Sequence, residues 1–250
     1  MRKRPLILIS NDDGVHAQGI EELAGWMRLL GDVVVVAPDS ARSGAACSIT
    51  SSVPVRISLL RNEVGWQVYS CSGTPVDCIK LALEKLLPHT PDLVVSGINH
   101  GDNLSVSVHY SGTVGAVYEA CMKDVPAVAF SLATTLKQCD FSPYRENVMR
   151  IARYVLRNSL PKGVSLNVNF PQVDELKGLK VCRMAQGNWV QEWKAGEKEN
   201  EYLLTGYFVN LEPDSDDTDC WAVEHGMAAV TPLHLDATHV HSVKVLENEI

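Results

Sequence analysis

Several things are missing from this 250-residue chain, and each absence excludes a class. No apolar run approaches the ~20 residues needed to span a bilayer, so no membrane segment is expected. There is no CxxC pair among the seven cysteines, which excludes a zinc ribbon and gives no disulfide framework. Free, scattered thiols fit a reduced cytoplasm. There is no excess of positive charge: Lys plus Arg is 22 against 30 for Asp plus Glu, a net charge of −8. A surface that binds nucleic acid through its backbone needs clustered cations, so no nucleic-acid partner is expected. Arg2, Lys3 and Arg4 look like the start of a signal peptide, but the apolar run behind them ends at Ile9 and meets two Asp residues. There is no internal repeat and no low-complexity tract. What remains is ordinary globular composition, 46% hydrophobic and 21% charged.

The first stretch of interest is Leu6-Ile7-Leu8-Ile9-Ser10-Asn11-Asp12-Asp13-Gly14. A short apolar run closed by turn residues reads as a strand buried on both faces. Helical spacing follows over 17–30, through Ile20, Leu23, Ala24, Met27 and Leu30. Asp12 and Asp13 therefore stand where a buried strand hands over to a helix, the edge at which open α/β sheets bind ligands. Asn and Asp also serve there as ordinary turn formers. Two adjacent carboxylates, however, repel each other, and a hard cation such as magnesium, manganese or calcium relieves that repulsion.

A second strand is read at 32–37, which makes a βαβ unit and hence a parallel sheet. Residues 40–52 are small and polar. Segments 53–59 and 65–71 read as a hairpin about Arg61-Asn62-Glu63. A helix runs from Pro75 to about Leu87, and Asp77 sits in its first turn, where the dipole favours an acid. Asp92 to Ser96 is the third parallel strand, opening into a polar loop, Gly97 to Asn103. A helix starts near Thr113, a strand spans 125–130 and an amphipathic helix 144–157. Beyond about Ser165 the pattern alternates, as in Leu166-Asn167-Val168-Asn169-Phe170, and reads as β-ribbons with one wet face. Trp189 and Trp193 lie in a polar stretch, Gly187 to Asn200, that suits either an exposed arm whose aromatics pack on another subunit or a mobile hairpin. The acidic run 214–219 lacks the Gly and Glu positions of an EF-hand loop and reads as a solvated turn.

The expected fold class is α/β, a Rossmann-like and mainly parallel sheet. The core covers residues 1–164, and a smaller β-rich extension, with an oligomerisation arm, covers 165–250. Three loops, 11–14, 40–52 and 97–112, should open at one edge of the sheet. They bring carboxylates, hydroxyls, amides and a helix start at Ser111-Gly112-Thr113, which is a natural anion site. Metal ligands beside an anion site are what phosphoryl chemistry requires.

In these same segments the chain resembles the SurE family, the stationary-phase survival nucleotidases. The similar motifs are Ile9 to Gly14, Ala37-Pro38-Asp39 with Arg42-Ser43-Gly44-Ala45, Gly73 to Cys78, Val95 to Asn103 and Tyr110 to Gly115. Thr218 to Ala222 and Thr231-Pro232-Leu233 extend the likeness toward the end of the chain. Ser105 departs from the pattern, standing where many members carry Gly. The resemblance implies one divalent ion per subunit, Mg2+ or Mn2+ with Ca2+ as an alternative occupant, held by Asp12, Asp13, Ser43 and Asn99. It places Asn11, Asn103, Ser111, Gly112 and Thr113 around the phosphate, and Asp12 and Asp13 in catalysis by a metal-held water. It implies nucleoside monophosphate substrates, cleaved at the 5′ and possibly the 3′ position, and a homodimer or homotetramer. Two other classes share the paired acids: a receiver-like signalling domain phosphorylated on Asp12 or Asp13, and a zinc deacetylase. The first lacks an acid at the end of the third strand; the second lacks a nearby His ligand.

Overall fold

The structure, a computed structural model, describes residues 4–136 and 138–250. Arg2 and Lys3 lie outside the described residues; Arg4 pairs with Asp32 at 3.1 Å. The chain runs β1 (Leu6–Ser10), α1 (Gln18–Met27), β2 (Asp32–Pro38), β3 (Ile57–Glu63), β4 (Trp66–Cys71), α2 (Pro75–Leu81), β5 (Leu93–His100) and α3 (Gly112–Met122). It continues through β6 (Ala127–Ala133), α4 (Arg145–Asn158), β7 (Val164–Pro171), β8 (Leu179–Val181) and four short strands, β9 (Gly187–Val190), β10 (Trp193–Ala195), β11 (Tyr202–Leu204) and β12 (Tyr207–Asn210). It closes with α5 (Asp219–Glu224), β13 (Ala228–His234) and α6 (Val240–Glu249).

Nine strands form one sheet in the order β3-β4-β2-β1-β5-β6-β7-β13-β8. From β4 to β7 every neighbour is parallel, while β3 and β13 run against their neighbours β4 and β7. Helices cover both faces, as a parallel sheet demands. The first strand shows how: Ile7 and Ile9 join one buried cluster with Leu23, Met27, Phe130 and Phe170, while Leu6 and Leu8 join the other with Val36, Ile79 and Val117. This two-residue alternation, apolar on both faces, is why the run Leu-Ile-Leu-Ile has no polar side. The chain leaves β1 for β2 on one side, and β5 lies on the other. The carboxyl ends of β1 and β5 therefore flank the point where the winding reverses, which is where such sheets leave a crevice.

The structure differs from the sequence reading in three places. The hairpin turns at Val64-Gly65 rather than at Arg61 to Glu63, because Gly65 adopts φ +71°. The third parallel strand does not stop at Ser96. After an irregularity it pairs Asn99 with Ser131 and His100 with Leu132, so sheet pairing overrides the loop-like sequence. β7 has no wet face. Asn167 and Asn169 are fully buried and hydrogen-bond the loop above them, which makes polar residues tolerable inside.

Residues beyond 165 supply β7, β13 and β8 to the same sheet. They also form two antiparallel ribbons, β9–β12 and β10–β11, which stand off it as an arm. The acidic run before α5 ends in an N-cap: Thr218 accepts from the Trp221 N–H, and the buried Asp219 accepts from Ser105 and Ala185 N–H groups. Among the described residues no helix is long and apolar enough to cross a membrane.

Candidate active site

Asp12 and Asp13 follow β1 directly. The turn is closed by Asn11, whose side-chain amide donates to the Gly14 carbonyl at 2.9 Å. Asn11 is fully buried and is not on the wall of the cavity that Asp12 lines; its amide shapes the turn, and its Oδ1 has no partner among the described residues. Asp12 is buried, and its Oδ1 accepts from the Thr113 hydroxyl at 2.5 Å. Burial pushes its carboxyl up to about 6; the Thr113 hydroxyl opposes the shift and the neighbouring Asp13 charge adds to it. Asp13 Oδ2 accepts from the His100 N–H at 3.0 Å, with the His100 ring Nδ1 at 3.6 Å.

Each carboxylate is thus tied down at one oxygen and presents the other. Asn99 behaves the same way: its Nδ2 donates to Gly101 O at 2.9 Å, which fixes the amide plane and leaves Oδ1 without a partner among the described residues. Ser43 comes from the loop after β2. That loop is anchored by Arg42 N–H to Asp12 O at 2.7 Å and Ala46 N–H to Tyr110 O at 3.2 Å. Farther along, Thr50 donates its N–H and hydroxyl to Asp77. Burial raises the Asp77 carboxyl, but these bonds and those from Thr74 outweigh it and hold the group below its ordinary range. Asp77 is therefore more than a first-turn acid: it completes a capping box with Thr74 and pins the 40–52 loop. Gly115 lets that loop close, since a Cβ there would stand 2.3 Å from the Ala46 carbonyl.

Asp12, Ser43, Asn99, Asn103 and Ser111 line one cavity of about 720 Å³. Asp13 lines an adjoining one of about 400 Å³, and His100 borders both. Gly112 and Thr113 lie behind the first cavity, not on its wall. Thr113 is fully buried and committed to Asp12, and a Cβ at Gly112 would stand 2.9 Å from the Asp12 Cβ. The start of α3 therefore serves Asp12 as well as any anion outside; Ser111, its N-cap, reaches the cavity. Asn103 uses its Nδ2 on Ser131 Oγ at 2.8 Å and its N–H on Asn169 at 2.7 Å, so it is part of the floor.

The sequence did not point to two contributors. His100 reads as a loop residue; its ring is fixed by Asp13, by the Cys139 thiol at 3.6 Å and by an edge contact with Phe141. The arm contributes Trp189, Glu192, Leu204, Thr205 and Gly206 to the cavity wall, which no local pattern foretells. Ser105 takes φ +49°, the left-handed region that a Gly adopts without cost. Bonds from its N–H to Asp219 and from its hydroxyl to Ala185 O hold it there.

The profile of the family described as "Survival protein SurE" matches residues 7–191, most of the chain. The chain belongs to the SurE family. The "5'-nucleotidase SurE" of Phocaeicola vulgatus is 48% identical over 250 residues, covering 99% of this chain and 97% of that one. Its counterpart from Bacteroides thetaiotaomicron is 49% identical over 239 residues, covering 94% and 92%. The crystal structure of the SurE protein from Aquifex aeolicus superposes with a TM-score of 0.79 at 34% identity, over 97% of this chain and all of that one. Nothing in these likenesses supports the receiver-like or zinc-deacetylase alternatives.

Proposed function

We propose that this chain is a metal-dependent phosphatase that hydrolyses nucleoside 5′-monophosphates to nucleoside and phosphate. One observation carries the reading. At the crevice between β1 and β5, four side chains from two loops and the end of β5 each keep an oxygen without a protein partner among the described residues: Asp12 Oδ2, Asp13 Oδ1, Ser43 Oγ and Asn99 Oδ1. An all-oxygen donor set with two anions suits Mg2+ or Mn2+, with Ca2+ as an alternative occupant. Burial raises the Asp12 carboxyl and the adjacent Asp13 charge adds to it, a cost that a bound cation would relieve. The names of the relatives point to the same substrate class.

Bound there, the ion supplies charge neutralisation for the phosphoryl oxygens and a lowered pKa for water. The chain's own residues do the rest. Ser111, the N-cap of α3 and the part of that helix start that reaches the cavity, holds non-bridging oxygens. A carboxylate of the Asp pair, Asp12, orients the attacking water or takes its proton, with its other oxygen held by the Thr113 hydroxyl; Asp13 is oriented by the His100 backbone N–H. The Asn103 floor fixes the loop that carries Asn99.

The test is phosphate release from a panel of nucleoside 5′- and 3′-monophosphates, a dinucleotide diester and an aryl phosphate, with and without chelator. Release from monoesters that stops in chelator is the expected result. Turnover of the diester at a comparable rate, or full activity in chelator, would refute it. The arm is proposed to hold a homodimer or homotetramer together, because Trp193, Tyr202, Leu204 and Tyr207 are all more than half exposed on it. Light scattering that shows a monomer at micromolar concentration removes that part of the proposal.

A further inference from the structure

The cavity beside the Asp pair is much larger than a phosphate needs, and its farther wall comes from the arm. We propose that Trp189 is the platform on which the nucleobase stacks, and that this residue is what separates nucleotides from other phosphomonoesters. The inference rests on the phosphatase reading above and adds to it the determinant of the substrate class.

Four observations converge. The cavity of about 720 Å³ has the size of a site for a whole small molecule and is lined at once by Asp12, Ser111 and Trp189. The indole is held in place: its Nε1 donates to Ser107 Oγ at 3.3 Å, and its ring meets Phe208 across the β9–β12 ribbon at 6.2 Å and 66°. A face kept in one orientation costs little entropy when a flat ring stacks on it. It is also open, with 39% of the residue exposed.

The anchoring agrees. Ser107, which holds the indole, and Ser111 both line the cavity, and the short helix Ser105–Tyr110 connects them. Charge sets the direction: Glu192, two positions beyond the β9 strand, lines the same wall and repels a phosphate from it. The phosphate is left the Ser111 end, and the carboxylate can accept from a base N–H. Leu204 and Tyr110 complete an apolar surround. Every base has a π face, so a stacking platform predicts tolerance among bases but not for their absence.

The test compares adenosine 5′-monophosphate with ribose 5-phosphate, using the full chain with saturating Mn2+ and its Trp189→Ala and Trp189→Phe variants. The ratio of the two kcat/KM values is expected to fall about tenfold to a hundredfold in Trp189→Ala, through KM for the nucleotide. Trp189→Phe, which keeps a ring but loses the Nε1 donor, should stay within a few-fold of wild type. An unchanged ratio in Trp189→Ala, or an equal fall in both variants, overturns the proposal. A separate readout uses adenosine alone: quenching of indole fluorescence is expected in wild type and lost in Trp189→Phe. If wild type releases no phosphate from any monoester, the phosphatase reading fails instead, and the quenching still decides whether Trp189 binds a base.

Discussion

Replacing Asp12 by Asn should make the metal-free protein more stable, although it destroys the site. In the unfolded chain this carboxyl titrates at its ordinary value of 3.8, but in the fold at about 6. Between those values the folded state holds the extra proton, so stability falls as the pH rises through this window and stays lower above it. The gap is worth ~3 kcal/mol at neutral pH. Asp12→Asn removes the charge and can keep the Thr113 hydroxyl bond through its amide oxygen. For a domain of this size, Tm moves by about 2–4 °C per kcal/mol, so a rise of about 6–12 °C is expected at pH 7.5 in chelator. The advantage should shrink as the pH drops below about 6 and vanish near 4. Added Mn2+ should restore wild type by about 2.7 kcal/mol at a hundred times Kd and leave the variant unmoved. The assay is thermal unfolding by circular dichroism for both proteins over pH 4–8, with and without metal. Equal melting temperatures at pH 7.5 in chelator, or a difference that ignores pH, would refute the account of Asp12.

Other substitutions probe the rest of the site. Asp13→Asn should abolish phosphate release, while Asn99→Ala and Ser43→Ala, each losing one neutral ligand worth about 1–3 kcal/mol, should raise half-saturating metal roughly tenfold to a hundredfold; metal titrations that overlay wild type would remove them from the ligand set. His100→Ala removes the ring Nδ1 that stands 3.6 Å from Asp13 Oδ2 but keeps the 3.0 Å bond from the backbone N–H, so Mn2+ affinity measured by electron paramagnetic resonance should fall no more than a few-fold; a loss of tenfold or more would show that the ring, not the backbone, orients Asp13. Gly115→Ala should push the Ala46 carbonyl, and Ser43 with it, out of place, giving loss of activity with little loss of helix signal. If that variant retains normal metal affinity, the loop is less tightly specified than the packing implies.

The parts legible in the sequence were those set by local pattern. Leu6 to Ile9 could only be a strand buried on both faces, and Asp12-Asp13 after it marked the sheet edge. Loop order then placed Ser43, Asn99 and Ser111 together. What was not legible depended on partners distant in the chain. Asn99 and His100 look like loop residues until Ser131 and Leu132 draw them into the sheet. Asn167 and Asn169 look solvent-facing until the 97–103 loop covers them. The resemblance places Thr113 beside the phosphate, but no local pattern says that its hydroxyl is bonded to Asp12. Trp189 signals only an exposed aromatic, since nothing local says which surface the arm leans on.

Beneath the crevice lies a layer of amides. Asn103 is held by Asn167, Asn169 and Ser131, with the Asn103 carbonyl accepting from Asn167 at 2.8 Å. An aliphatic floor would be defined by volume and would forgive a swap of one branched residue for another. This one is defined by valence: each donor answers a particular acceptor, and a residue of equal size with the wrong polarity leaves an orphan. Drift in this layer should therefore run through Asn, Ser, Thr and Gln and avoid Leu and Val, and an asparagine turned to aspartate here would replace a donor by an acceptor.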